Sequence, residues 1–362
     1  MRFFGMLCVA FSGSAPQKVK DSLTPYTFDR VAHAQLAGTP NPPPDIHFQN
    51  GHDGLMFLVC GDVFYDLTGS GDPDGSDMTY DGRIGGSAMA VAVGMARLGA
   101  KTGLLGGVST DMLGERIVRT LRREGVGTGH LIRSHRRTAL GLTALDHDGQ
   151  PSHGFYGDEA ADRGVTEIDL PTLDPAVTGL HFGSYTLAVE PVAGAFAALA
   201  LRESSRFISL DPNIRPIAER RLDVWRRRIT ALRRCAAMVK VSENDLALLH
   251  PGADPVETAV SWAGGAARMV VMTRGGGDVV AFRGADTIRA TPPRVDVVDS
   301  PGAGDAFQAA LLASVMAQDD PRTFLRDAPA ESLQDMLERA IRAARITCTR
   351  PGGDPPRLSE LG

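Results

Sequence analysis

The sequence predicts an α/β protein: a doubly wound, mostly parallel sheet flanked by helices, with a small separate β-sheet. Three observations carry this reading. Short apolar runs recur from Met56 onward, helical periodicities lie between them, and two stretches break the rhythm with strand signals of their own. The runs at 56–60, 102–108, 180–182, 207–210, 238–241 and 269–273 are continuous and bounded by Gly, Asp or Ser, the pattern of strands buried on both faces. Ala88, Val91, Ala92, Met95 and Leu98 recur at helical spacing, and Gly99 supplies a stop. Alternating strand and helix implies parallel strands whose ligands bind at their carboxyl ends.

The two irregular stretches predict the small sheet. Residues 66–84 are rich in Gly and Asp, with one extended piece around 78–80. Within 138–158, strands at 138–146 and 152–156 are joined by the turn Asp146-His147-Asp148-Gly149. A sheet projecting beside a ligand cleft is expected to serve as a lid.

The folded domain is expected over 56–362. Residues 1–55 read as a disordered N-terminal extension: Pro25, Pro40, Pro42, Pro43 and Pro44 interrupt it and no apolar periodicity runs through it. Arg2 and the apolar residues to Phe11 imitate a secretory signal, but the run is short. Hydrophobic residues make up 43% and charged residues 22% of the 362, enough for a sizeable core. With a net charge of −5 there is no general attraction to nucleic acid or anionic lipid, and no apolar run reaches the ~20 residues that span a bilayer. Cys8, Cys60, Cys235 and Cys348 are scattered without metal spacing, as expected of small hydrophobes in a reducing compartment.

The chemistry concentrates in Asp299-Ser300-Pro301-Gly302-Ala303-Gly304-Asp305-Ala306-Phe307. Gly302 and Gly304 allow a tight turn, and the residues that follow read as a helix with a small-residue face. Such a turn aims free N–H groups and the positive end of the helix at one point, an anion site. Asp305 at that mouth either caps the helix or takes a proton from a hydroxyl while the amides stabilise a transferring phosphoryl group. Two decoys are set aside. The segment from Gly94 to Thr102 imitates a P-loop but has an extra Ala before Lys101 and ends a helix instead of opening one. Gly275-Gly276-Gly277 follows a strand but opens no helix.

Over 56–362 the chain resembles the ribokinase-like (PfkB) carbohydrate kinases. Gly85-Gly86 through Gly99, followed by Gly107-Val108-Ser109-Thr110-Asp111-Met112-Leu113-Gly114, resembles the family's first signature; 298–307 resembles its second, DTxGAGD, with Ser300 in place of threonine. Asp211-Pro212-Asn213-Ile214-Arg215-Pro216, Lys240-Val241-Ser242 and the tail from Ile346 to Pro356 are similar to bacterial fructokinases.

The resemblance implies an ATP-dependent kinase acting on a small sugar, D-fructose first, with 2-keto-3-deoxygluconate or a nucleoside as alternatives and a non-catalytic sugar-binding regulator as the rival class. It implies Asp305 as general base, an anion hole at Gly302, Ala303 and Gly304, and sugar contacts from Asp66, Gly85 and Gly86. Ser242, Asp245, Thr273 and Gly275 fall at nucleotide positions. Asp245 would meet Mg²⁺ through water or phosphate, although Ser242 and Asp245 replace the Asn and Glu of the family's NxxE. Asp299 would help hold K⁺. A cytoplasmic homodimer joined through the lid sheet is the implied assembly. One departure stands out: Ala90 occupies the position of the asparagine in the family's GGxxxN.

Overall fold

The computed structural model describes residues 55–71, 76–146, 150–264 and 267–362. The extension expected over 1–55 lies outside them apart from Leu55, as do residues 147–149 of the expected turn. Along the first half run β1 (Met56–Cys60), β2 (Phe64–Ser70), β3 (Thr79–Gly85), α1 (Ser87–Arg97), β4 (Thr102–Ser109), α2 (Met112–Arg123), β5 (Leu131–Ser134), β6 (Leu140–Leu145) and β7 (Pro151–Tyr156). The second half carries β8 (Val177–Gly183), α3 (Val192–Arg202), β9 (Phe207–Asp211), α4 (Leu222–Leu232), β10 (Met238–Ser242), α5 (Glu243–Leu249), α6 (Pro255–Ala263) and β11 (Met269–Thr273). It ends with β12 (Val279–Arg283), β13 (Asp286–Ala290), α7 (Ala303–Met316), α8 (Pro321–Asp327) and α9 (Ala330–Cys348).

The main sheet has nine strands in the order β13-β12-β11-β10-β9-β8-β1-β4-β5. From β11 to β5 every pairing is parallel, whereas β12 and β13 close one edge as an antiparallel hairpin. Each expected run became one of the inner strands. Alternation along them divides the core between the two faces: Phe57 and Val59 of β1 pack with α1, α7 and α9, while Leu58 and Cys60 pack with α3 and α4. The two apolar sets explain why these strands read as unbroken hydrophobic runs.

The small sheet has four strands ordered β3-β2-β6-β7. Its strands β2 and β6 are parallel, and the outer pairs are antiparallel. The chain thus places two separate sheets where the sequence predicted them; the extended piece expected at 78–80 opens β3, and β2 is a full strand that the sequence reading did not mark. Among the described residues no helix is long and apolar enough to cross a membrane.

Candidate active site

Gly302 precedes α7 in the left-handed region, with φ 77. A methyl group there would press 2.9 Å from the Cα and carbonyl oxygen of Gly353, which is itself left-handed at φ 70. Only glycine at both positions lets the C-terminal tail lie against this turn. Within α7 the amides of Gly304 and Asp305 have no partner among the described residues, so the helix presents free donors at its positive end. Beneath them lies the ammonium of Lys240, 3.6 Å from where a Gly304 side chain would begin. Lys240 is buried and ion-paired to Asp211 at 2.8 Å, which fixes its Nζ under the turn.

Asp305 does not cap α7; no side chain does. Its Oδ1 accepts from Ser87 Oγ at 2.6 Å and from Asn213 Nδ2 at 3.4 Å, and Asn213 Nδ2 also reaches Ser87 Oγ at 2.8 Å. Asn213 adopts φ 40 to present that amide, a conformation asparagine tolerates better than most residues. Burial raises the Asp305 carboxyl above its ordinary range, while the Ser87 bond and the charges of Arg215 and Lys240 pull it back. A carboxylate held this way through Oδ1 can accept a proton at Oδ2, which has no hydrogen-bond partner among the described residues.

Asp66 and Asp305 line one cleft of about 1990 Å³, together with Gly85, Gly86, Ser87, Ala90, Arg215, Asp299 and Gly302. On β2, Asp66 sits in register between Arg83 of β3 and Gly141 of β6. Its carboxylate lies over Gly85 on one side, and a methyl on Gly141 would come within 2.5 Å of Oδ1 on the other. The two glycines are the space the carboxylate occupies. Burial raises the Asp66 pKa and Arg215 opposes the rise. Gly86, at φ 109, lets α1 start against the Asp62 carbonyl, where a methyl would stand 2.5 Å away.

Asp62 was not singled out from the sequence, yet it is buried at the carboxyl end of β1 and lines the cleft. Its Oδ2 accepts from the Ser87 amide at 3.1 Å and its Oδ1 has no partner among the described residues. Burial pushes its pKa up to about 6. A charged residue ending an apolar strand was the available signal. Asn213, Arg215 and Lys240 belong to segments noted for their likeness alone; what each does follows from the fold.

The positions expected to meet the nucleotide are not part of this cleft's lining. Ser242 and Thr273 are register partners at the carboxyl ends of β10 and β11. Gly275 follows in an exposed turn at φ 56, with open space around it. Asp245 is buried and occupied: Oδ1 accepts from the Ile214 amide at 3.0 Å and Oδ2 from Ser242 Oγ at 2.7 Å in the capping box of α5. Asp299 accepts from the Gly352 amide at 2.8 Å, which ties the turn before α7 to the tail. Among the described residues no group of three or more His, Cys, Asp or Glu is arranged to hold a metal.

Comparison with known proteins now bears on this geometry. The chain is 32% identical over 261 residues to a fructokinase of Rhizobium leguminosarum bv. trifolii, covering 72% of this chain and 79% of that one. The fructokinase of Xylella fastidiosa solved with bound ATP superposes with a TM-score of 0.76 at 26% identity, covering 84% of this chain and 96% of that one. A fructokinase double mutant from Vibrio cholerae O395, solved with fructose, ADP and a potassium ion, shares the fold at a TM-score of 0.72 and 24% identity, over 85% of this chain and 97% of that one. The family model for pfkB carbohydrate kinases matches residues 58–360, and the chain belongs to that family.

Proposed function

We propose that this ATP-dependent sugar kinase phosphorylates D-fructose, with Asp305 as the base. The observation that carries the reading is the Asp305 carboxylate, held by Ser87 and Asn213 beside the free amides of α7, in the cleft that Asp66 also lines. Asp66, Gly85 and Gly86 form the sugar side. The carboxylate of Asp66 accepts hydroxyl protons, and the two glycines let backbone approach the ring. Asp305 takes the proton of the reacting hydroxyl as its oxygen attacks the γ-phosphorus. The bond to the ADP oxygen breaks, and the turn at Gly302, Ala303 and Gly304, with the free amides of Gly304 and Asp305, meets the charge on the transferring group. Lys240 adds a fixed positive charge below the same point.

Ser242, Asp245, Thr273 and Gly275 form the nucleotide side at the strand ends. Because both Asp245 oxygens are in use, that carboxylate fits a Mg²⁺ that is carried on the nucleotide phosphates and reached through water. Mg²⁺ bound there neutralises phosphate charge. The Asp299 oxygen that Gly352 leaves free suits a K⁺ ion shared with nearby carbonyls. The four-stranded sheet acts as the lid and as the face joining a homodimer, and the enzyme works in the cytoplasm, where its ATP is. Residues 1–55 are dispensable for turnover.

Ala90 favours a second reading. It lines the sugar side where the family carries asparagine, so 2-keto-3-deoxygluconate or a nucleoside is the alternative acceptor. ADP release measured against fructose, other sugars, keto-acid sugars and nucleosides tests both. Turnover of fructose at the highest kcat/KM supports the first reading; preference for another class replaces it; no turnover of any acceptor points to a sugar-binding regulator.

A further inference from the structure

We infer that the back of the small sheet carries a phosphate-binding site, formed by Arg116, Arg119 and Arg123 of α2 with the hydroxyl of Tyr65. Side chains alternate along β2, so Asp66 faces the sugar cleft and Tyr65 projects from the opposite face. Tyr65 is 5% exposed, and its hydroxyl is buried without a hydrogen-bond partner among the described residues. A buried phenol left unpaired costs stability unless something completes it.

What stands next to it is positive charge. Arg116, Arg119 and Arg123 recur at i, i+3 and i+7, one face of α2, and all three are exposed. Tyr65 and these three arginines line the α2 side of the same cleft of about 1990 Å³ that Asp66 and Asp305 line, and the charges of Arg116 and Arg119 reach the phenol. Among the described residues none of the three arginines has a hydrogen bond or an acidic partner. The carboxylates nearby are already taken: Glu115 by Arg133, and Glu124 by Arg97 and Arg357. Three unpaired guanidinium groups on one helix face, lining the same cleft as an unpaired phenol, match the needs of a phosphate, which accepts several charge-assisted bonds at once. Two sources offer that chemistry, inorganic phosphate and a phosphorylated sugar such as the product of this family's reaction.

Occupancy would act through one backbone step. Tyr65 and Asp66 are neighbours on opposite faces of β2, so a ligand that fixes Tyr65 biases the carboxylate that meets the sugar. The effect is expected on KM for the sugar and little on kcat.

The test uses the full chain without ATP or sugar, which keeps it independent of which acceptor is turned over. Calorimetric titration with inorganic phosphate and with fructose 6-phosphate, fructose serving as the phosphate-free control, is run on wild type, Arg116→Gln/Arg119→Gln, Tyr65→Phe and Asp305→Asn. The expected result is binding by wild type and by Asp305→Asn, weakened roughly tenfold or more in the arginine variant and a few-fold in Tyr65→Phe, and weaker as salt is raised. Binding of inorganic phosphate alone, or of the sugar phosphate alone, supports the site and names its source. Tyr65→Phe supplies a control for folding, since without ligand it should be at least as heat-stable as wild type. Phosphate binding that survives in the arginine variant, or that is absent from wild type, overturns the proposal. So does a variant whose phosphate binding is unchanged but whose sedimentation shifts, because the arginine face would then belong to a contact with another chain.

Discussion

Ser87 and Asp305, 218 residues apart in sequence, meet through a 2.6 Å hydrogen bond from the serine hydroxyl to the carboxylate. Ser87 opens α1 and Asp305 lies in the first turn of α7, so one bond fixes two helix N-termini relative to each other. The bond also stabilises the charged form of Asp305, whose pKa burial has raised. Removing it leaves the raising cause in place and takes away an opposing one. Ser87→Ala should therefore move the acid limb of the kcat/KM profile to higher pH, with the plateau at high pH less affected. An acid limb that stays put or moves down would show that the limb reports another group, with Asp62 the first to examine.

Asp305→Asn should keep the fold and nucleotide affinity, because asparagine can still accept from Ser87. Turnover should fall by roughly 10²–10⁴, the usual worth of a positioned base. Single-turnover measurement separates this from slow product release; near-normal chemistry in the folded variant removes Asp305 from the proton transfer.

Gly141 was not among the residues picked from the sequence, yet a methyl there would stand 2.5 Å from Asp66 Oδ1. Gly141→Ala should displace the carboxylate and raise KM for the sugar about tenfold, the scale of one charge-assisted hydrogen bond, with kcat nearly unchanged. An unaltered KM would mean that the sugar does not use Asp66.

The reach of sequence reasoning follows the physics of each element. Strands β1, β4, β8, β9, β10 and β11 are buried on both faces and declared themselves as apolar runs; α1 declared itself by periodicity. Strand β2 did not, because Phe64–Ser70 carries Asp66 and Thr68 toward the cleft and Gly69 among its neighbours, and a strand with one wet face reads like a loop. The turn at Gly302 was legible because glycines at that spacing have few other uses. Whether Asp305 caps or faces a substrate was not, since capping depends on where a side chain rotates, and that is set by Ser87 and Asn213 from distant segments.

Lys240 and Asp211 give a stability prediction. Both are buried, and Asp211 Oδ1 already lacks a partner among the described residues. Lys240→Met should cost about 3–5 kcal/mol by leaving the aspartate charge uncompensated, and Lys240→Met/Asp211→Leu should recover much of it. Denaturant midpoints measure both. If the double variant is no more stable than the single one, the pair is not the source of the loss.

On the proposed reading, Ala90 should limit how well fructose is held. It lies one turn beyond Gly86, whose carbonyl accepts its amide at 3.0 Å, so its side chain is fixed on the cleft side of α1. Alanine offers no hydrogen bond, and asparagine offers both donors and acceptors. Ala90→Asn should tighten fructose binding a few-fold to about tenfold, the net worth of one neutral hydrogen bond of roughly 0.5–1.5 kcal/mol. The opposing effect is crowding, which costs about 1–3 kcal/mol in a filled site. The open cleft favours the hydrogen bond. KM for fructose measured beside KM for ATP separates the outcomes: a fall in the first alone supports Ala90 as the gap in the fructose site, whereas a rise in the first alone means that this chain uses the space for a larger acceptor.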